Sequence, residues 1–343
     1  MSESADVLNQ QSGNEGPAID QAVSRRRRIA LRMLDNVVWV ILAVALAGFS
    51  LGIHGFFSVE NFENIASHSV FLAVLVIPVT YILIIGQLDI SIGAVASFGA
   101  LLSAWLAGGS ENASGLSVNS FATLAIVLGC AGLVGLVNGL CVTKLRISSF
   151  LMTLSTMMIV QGLTLMLTEG NGVALLPPEF RLIDTIQLAG VPLTVFVVLA
   201  IFVAGHFILQ TTQFGRHLFV IGGNSTAAYD FGIRVDRLVL RVFIFSGVMA
   251  GLTGWLLAAR LNGANPTVGS TLLFDALAAA VIGGVSLTGG EGSLRGVLAG
   301  VLLLGAVSSA LDILVVSPFV VQVLRGSLVL GAIVLDSVKK RFR

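Results

Sequence analysis

A chain of 343 residues that is 56% hydrophobic and only 11% charged, with a mean hydropathy of +0.97, carries far more apolar surface than one soluble core can bury. Apolar runs of about 20 residues recur along it, which excludes a soluble globular domain and indicates a polytopic membrane protein. The net charge of +1 is uninformative by itself, because in such a protein the placement of the charges carries the meaning.

Residues 1–24 are polar and too poor in apolar groups to fold alone, so a disordered tail is expected. A basic cluster at 25–28, with Arg32, follows and abuts the first apolar run. The long polar lead-in and the lack of a small-residue cleavage signal argue against a cleaved signal peptide. A basic cluster beside a span is an orientation signal rather than a nucleic-acid patch. Breaking the apolar runs at Gly, Pro and polar clusters predicts ten spans: 37–56, 65–86, 92–108, 121–142, 149–167, 191–210, 240–258, 272–288, 295–314 and 318–337. The third and eighth are short and flank glycine-rich joints at 86–93 and 283–296, where helices break inside protein rather than in lipid. Pro78 is expected to kink the second span.

With the amino terminus inside, alternate loops collect all of the 19 basic residues except Arg181, Arg260 and Arg325. The positive-inside rule therefore predicts ten spans with both termini cytoplasmic: a tail at 1–34, a transmembrane domain at 35–338 and a basic end at 339–343. Gly135 and Gly139, Gly247 and Gly251, and Gly296 and Gly300 are each four apart and permit close helix contact. The loop at 169–190 on the opposite side is long enough for a small capping element. Cys130 and Cys141 fall on or beside one helix, with no metal-type spacing, and read as packing residues.

Residues 213–241, QFGRHLFVIGGNSTAAYDFGIRVDRLVLR, interrupt the apolar pattern. Arg216, Asp230, Arg234, Asp236, Arg237 and Arg241 would each cost about 2.5–3.5 kcal/mol at the bilayer centre, so the stretch lies outside it. Asn224 or Ser225 is placed to accept from first-turn amides of a short helix, and Gly232 to end it in a left-handed turn.

No P-loop, HExxH, CxxC or GxSxG pattern occurs, so no machinery for hydrolysing ATP, peptides or esters is recognisable, and the chain does not read as an enzyme. Polar residues within apolar surroundings are the candidates for a translocation pathway: Asp89, Ser91, Asp275, Gln322 and Arg325. For each a structural role stands beside the functional one. Asp89 could cap the amides of the broken joint around Gly86, Ser91 and Gly93. Asp275 could cap its own helix, and Arg325 could pair with Asp312.

Three stretches resemble the membrane-spanning permease subunits of ribose-type sugar importers of the ATP-binding cassette class. They are GQLDISIGAVASFGALLSA, GRHLFVIGGNSTAAYDFGI and NPTVGSTLLFDALAAAVIGGVSLTGGEGSLRGVLAG, in order and spacing similar to that family over roughly 35–338. Gln87 stands where the family pattern has a second glycine, which makes the joint less permissive. The resemblance implies an all-α polytopic bundle of about ten spans with broken helices, in the architecture of a type II-like importer permease. It implies no cofactor in this chain: ATP binds partner subunits, a solute-binding protein delivers the sugar, and a second permease copy or paralogue completes a dimer in lipid. Gly215, Arg216, Gly222, Gly223, Asn224, Ala227, Ala228, Gly232 and Ile233 are implied to form the contact with the ATPase. A permease for branched-chain amino acids or nucleosides is the alternative, and an ion-driven secondary transporter stands further off.

Overall fold

The computed structural model describes residues 37–317 and, beyond them, 319–324, 326, 327, 330, 331 and 334. The expected tail, the terminal basic residues and Arg325 lie outside the described residues. In chain order the elements are α1 (Val37–Gly52), α2 (Val59–Ile84), α3 (Ile92–Ala107), α4 (Ser120–Lys144) and α5 (Ser149–Leu167). A linking region follows with β1 (Val173–Ala174), α6 (Pro178–Thr185), β2 (Gln187–Leu188) and β3 (Val191–Pro192). Then come α7 (Leu193–Thr211), α8 (Gln213–Gly223), α9 (Ser225–Asp230), α10 (Val235–Leu261), β4 (Gly263–Ala264), α11 (Leu272–Ile282) and α12 (Leu294–Ile313). The architecture is an all-α membrane bundle. Among the described residues α2, α4, α5, α7, α10 and α12 are long and apolar enough to cross a membrane, whereas α1, α3 and α11 are shorter apolar helices.

The central helix is α2. From Val70 onward it has no polar stripe to offer solvent, and Val74, Leu75, Val76 and Ile77 are fully buried, as expected of a segment that is apolar all round. Ser58 starts it by accepting from the Asn61 amide at 3.2 Å, so it begins earlier than the apolar run alone predicts. It continues through Pro78 to Ile84, and its 26 residues extend about 39 Å. Beyond it Gly86 takes φ +70 and turns the chain back toward α3. Gln87 is not among the residues with positive φ, so this joint turns on a single glycine.

The small-residue ladders sit where helix backbones cross. A β-carbon on Gly247 of α10 would stand 2.2 Å from the Ala131 carbonyl oxygen, and one on Gly135 of α4 would stand 2.3 Å from that of Phe243. A β-carbon on Gly254 would stand 2.3 Å from the Ala96 oxygen in α3, so α10 lies against both neighbours with almost no side-chain spacing. Where lipid is as apolar as leucine, such close van der Waals contact is a main source of helix association.

Two departures from the sequence pattern define the site region. The span expected at 272–288 is a helix of 11 residues ending at Ile282, about 16 Å long, because Gly284, Gly289 and Gly290 all take positive φ and release the chain. The chain between α10 and α11 descends into the bundle without helical structure. At the end away from the basic loops β4 pairs with β1, Arg260 bridges to Asp184 at 3.0 Å, and α6 seals the long loop with Phe180 buried against Trp255. Cys130 and Cys141 are free.

Candidate coupling and translocation sites

The stretch at 213–233 forms two successive short helices rather than one. Thr212 caps α8 by accepting from the Gly215 amide at 3.2 Å, and Leu218 and Ile221 turn inward with Gly215. Asn224 then accepts from the Ala227 amide at 3.0 Å and caps α9, as its position in the sequence predicts. Gly232, at φ +76, ends the unit. Its amide donates to the Tyr229 carbonyl at 2.9 Å, and the Ile233 amide donates to that of Ala228 at 3.0 Å. Ala228 is fully buried, whereas Arg216, Gly223 and Asn224 face outward. Arg216 donates to the Thr211 carbonyl at 2.9 Å.

The two helices are fixed to the bundle at two places. Tyr229 donates to Asp236 at 2.5 Å, and Arg146, from the loop between α4 and α5, donates to both oxygens of the same carboxylate at 3.2 and 3.3 Å. The Tyr229 hydroxyl and the Asp236 charge both favour the guanidinium's charged form and raise its pKa. The second place has no side chains. At Gly222 a β-carbon would stand 1.7 Å from the Ile84 carbonyl oxygen and 2.4 Å from the Gly290 nitrogen. The Gly290 amide in turn donates to Ile84 at 2.8 Å, and a β-carbon on Gly289 would meet both Gly86 and Gly222 at 2.9–3.0 Å. The end of α8, the joint after α2 and the loop after α11 therefore meet backbone to backbone. A cavity of about 500 Å³ opens beside this junction, lined by Gln87, Thr143, Asn224, Tyr229 and Thr288 among others.

Asp89 sits in the joint between α2 and α3 and is buried. Its Oδ1 accepts from the Ser91 amide at 3.0 Å and hydroxyl at 2.6 Å, and its Oδ2 accepts from Ser246 of α10 at 2.7 Å. Asn138 of α4 donates to Ser91 at 3.0 Å, and Thr156 of α5 donates to Asn138 at 2.6 Å. Two further amides freed by the broken helix go to hydroxyls of α5: Leu88 donates to Ser149 at 3.2 Å and Ile90 to Thr153 at 3.0 Å. A joint that would be intolerable in lipid is thus satisfied inside protein. The carboxylate's oxygens are occupied, which fits the structural role for Asp89 and Ser91.

Asp275 lies half-buried in the first turn of α11, and its amide donates to the Thr271 carbonyl at 3.2 Å. Gln322 is exposed in the helical residues 319–324, remote in sequence from the joint. Asp89 and Ser91 are together; nothing in the geometry joins them to Gln322. Sequence reasoning passed over Asn138, Thr156 and Ser246, single polar residues that apolar spans carry with no distinguishing pattern. It passed over Gln161 too, whose only signal is an amide set in the apolar run of α5.

A family model described as "Branched-chain amino acid transport system / permease component" matches residues 61–334. The chain is 30% identical over 325 residues to a ribose import permease protein of Escherichia coli K12, covering 93% of this chain and 99% of that protein. It is 37% identical over 264 residues to a ribose import permease protein of Bacillus subtilis, covering 76% and 79%. It is 30% identical over 337 residues to an L-arabinose ABC transporter permease protein of Azospirillum brasilense, covering 95% of each. No solved structure matches the chain.

Proposed function

Since the chain belongs to this family of transport-system permease components, we propose that it is the membrane-spanning subunit of an ATP-binding cassette importer for a pentose, hexose or related polyol. The observation that carries this reading is likeness along almost the whole chain to permeases named for ribose and arabinose. The alternative solute class of the family's description, branched-chain amino acids, has no relative of that name among these matches. The multi-pass protein sits in the inner membrane with both termini and the basic loops cytoplasmic, where a separate ATPase subunit binds ATP. A solute-binding protein delivers the sugar from the other side, and a second permease copy or paralogue completes the pathway.

The coupling role falls to Gly215, Arg216, Gly222, Gly223, Asn224, Ala227, Ala228, Gly232 and Ile233. What supports it is the junction at Gly222. A push on α8 and α9 by an ATPase has no soft side chain to compress there, so it passes directly into the joint after α2 and the loop after α11, as rigid-body motion rather than local yielding. Both are places where membrane helices are broken.

The test is reconstitution of this chain with the ATPase and binding protein that co-purify with it, followed by uptake of labelled D-ribose and L-arabinose. Uptake that requires ATP and both partners is expected. Uptake that survives ATP depletion but collapses with an ion gradient would overturn the reading, as would robust ATP hydrolysis by this chain alone.

A further inference from the structure

Residues 265–271 enter the bundle as irregular backbone. The chain leaves the far end at β4, and by Gly269 its amide donates to the Ser97 hydroxyl at 2.9 Å. Ser97 lies ten residues from the end of α3 at Ala107, so this contact sits about 15 Å inside that end. At that depth non-helical backbone is tolerated only where protein covers it or water reaches it. Asn265, Thr267, Ser270 and Thr271 are nevertheless exposed.

Beside them on α5 is Gln161, six residues from the helix end at Leu167 and so about 9 Å in. It is exposed, and none of the described residues gives it a hydrogen bond. A primary amide has four hydrogen-bonding positions, and leaving them open to hydrocarbon costs several kcal/mol. Gln161 and the descending segment border one small cavity of about 60 Å³, lined also by Ser97, Met157 and Phe274. That holds a few waters and is too small for a sugar ring.

We propose that this face is the solute-reading constriction of the pathway, with Gln161, Ser97, Thr267 and Ser270 exchanging hydrogen bonds with the hydroxyls of a neutral polyol while Phe274 packs against its carbon-bound face. The inference rests on the permease reading above and deepens it. Three hydroxyls and an amide supply both donors and acceptors, and the lining carries no charge, which suits a sugar better than the paired charges of an amino acid. The constriction is closed here and opens when the segment at 265–271 parts from α3, which breaks the single Ser97 to Gly269 bond.

The test uses the assembled, reconstituted complex with Cys130 and Cys141 first exchanged for alanine. Gln161→Cys and Ser270→Cys are exposed to a membrane-impermeant, water-requiring thiol reagent, with Leu199→Cys as the control at matching depth on α7. Leu199 is exposed and six residues from its helix end. Labelling at 161 and 270 about tenfold faster than at 199, slowed by a transported D-ribose or L-arabinose, is expected. Labelling at 161 and 270 no faster than at 199 overturns the inference, whatever the complex transports. Fast labelling with no sugar uptake by the cysteine-free parent would instead overturn the sugar reading and leave a water-lined face. Gln161→Leu should lower sugar uptake about tenfold, the size of one or two net hydrogen bonds, in complexes that insert and assemble at the parent's level. Unaltered uptake removes Gln161 from solute reading.

Discussion

Gly222 and Gly223 are adjacent, chemically identical and part of one motif, yet the structure assigns them opposite tolerances. A methyl on Gly222 would stand 1.7 Å from the Ile84 oxygen and 2.4 Å from the Gly290 nitrogen, both backbone atoms that have no rotamer to change. Gly223→Ala meets nothing within 4 Å. To relieve the first clash the end of α8 must lift away by more than about 1 Å, since close-packed backbone cannot compress by that amount. Overpacking of this kind costs about 1–3 kcal/mol. That shifts the docked junction toward its open form by roughly thirtyfold at mid-range. In proteoliposomes holding the full complex, Gly222→Ala should therefore abolish ATP-driven uptake while the ATPase subunit retains its own hydrolysis, and Gly223→Ala should behave as the parent. Equal damage from the two substitutions, or normal uptake by Gly222→Ala, would refute the reasoning.

Arg216→Glu gives up one exposed hydrogen bond, to the Thr211 carbonyl, and reverses the charge offered to a partner; uptake should be lost with normal membrane insertion, and unchanged uptake would remove Arg216 from the contact. Ser246→Ala withdraws the only hydroxyl that the described residues place on Asp89 Oδ2 and should lower stability by about 1–3 kcal/mol, read as an earlier thermal unfolding in detergent. Gly247→Ala places a carbon 2.2 Å from the Ala131 oxygen and should destabilise by about 1–3 kcal/mol. Gly129→Ala, with nothing within 4 Å, should be silent in the same melting assay.

Much of the fold is written locally in the chain. The glycines at 86, 284, 289 and 290 mark the broken helices because positive φ is a single-residue property, and Asn224 announces its cap three residues before the amide it serves. The longer helix before that cap is less visible: the sequence singles out only the short helix after Asn224, since helix propensity sees the entropy cost of Gly222 and Gly223 and not the backbone contact that demands Gly222. The acids in apolar runs drew notice by their charge. What Asp89 does depended on Ser246, 157 residues away, and no spacing reveals such a partner. Gln161, Thr267 and Ser270 are neutral and common in spans. Only the exposure of each at membrane depth distinguishes them.

The descending segment and the half-length helix that follows it also constrain how the protein is made. With 11 residues, α11 reaches about half of a hydrocarbon core of roughly 30 Å and has too little apolar length to be handed to lipid as an independent span. The backbone leading into it finds a partner in Ser97, synthesised 172 residues earlier. This part of the chain therefore settles only against a bundle already standing, after α3 and α10 have closed on each other. An insertion error in the early helices would surface here first, as a pathway that never forms in a protein whose long helices all cross correctly.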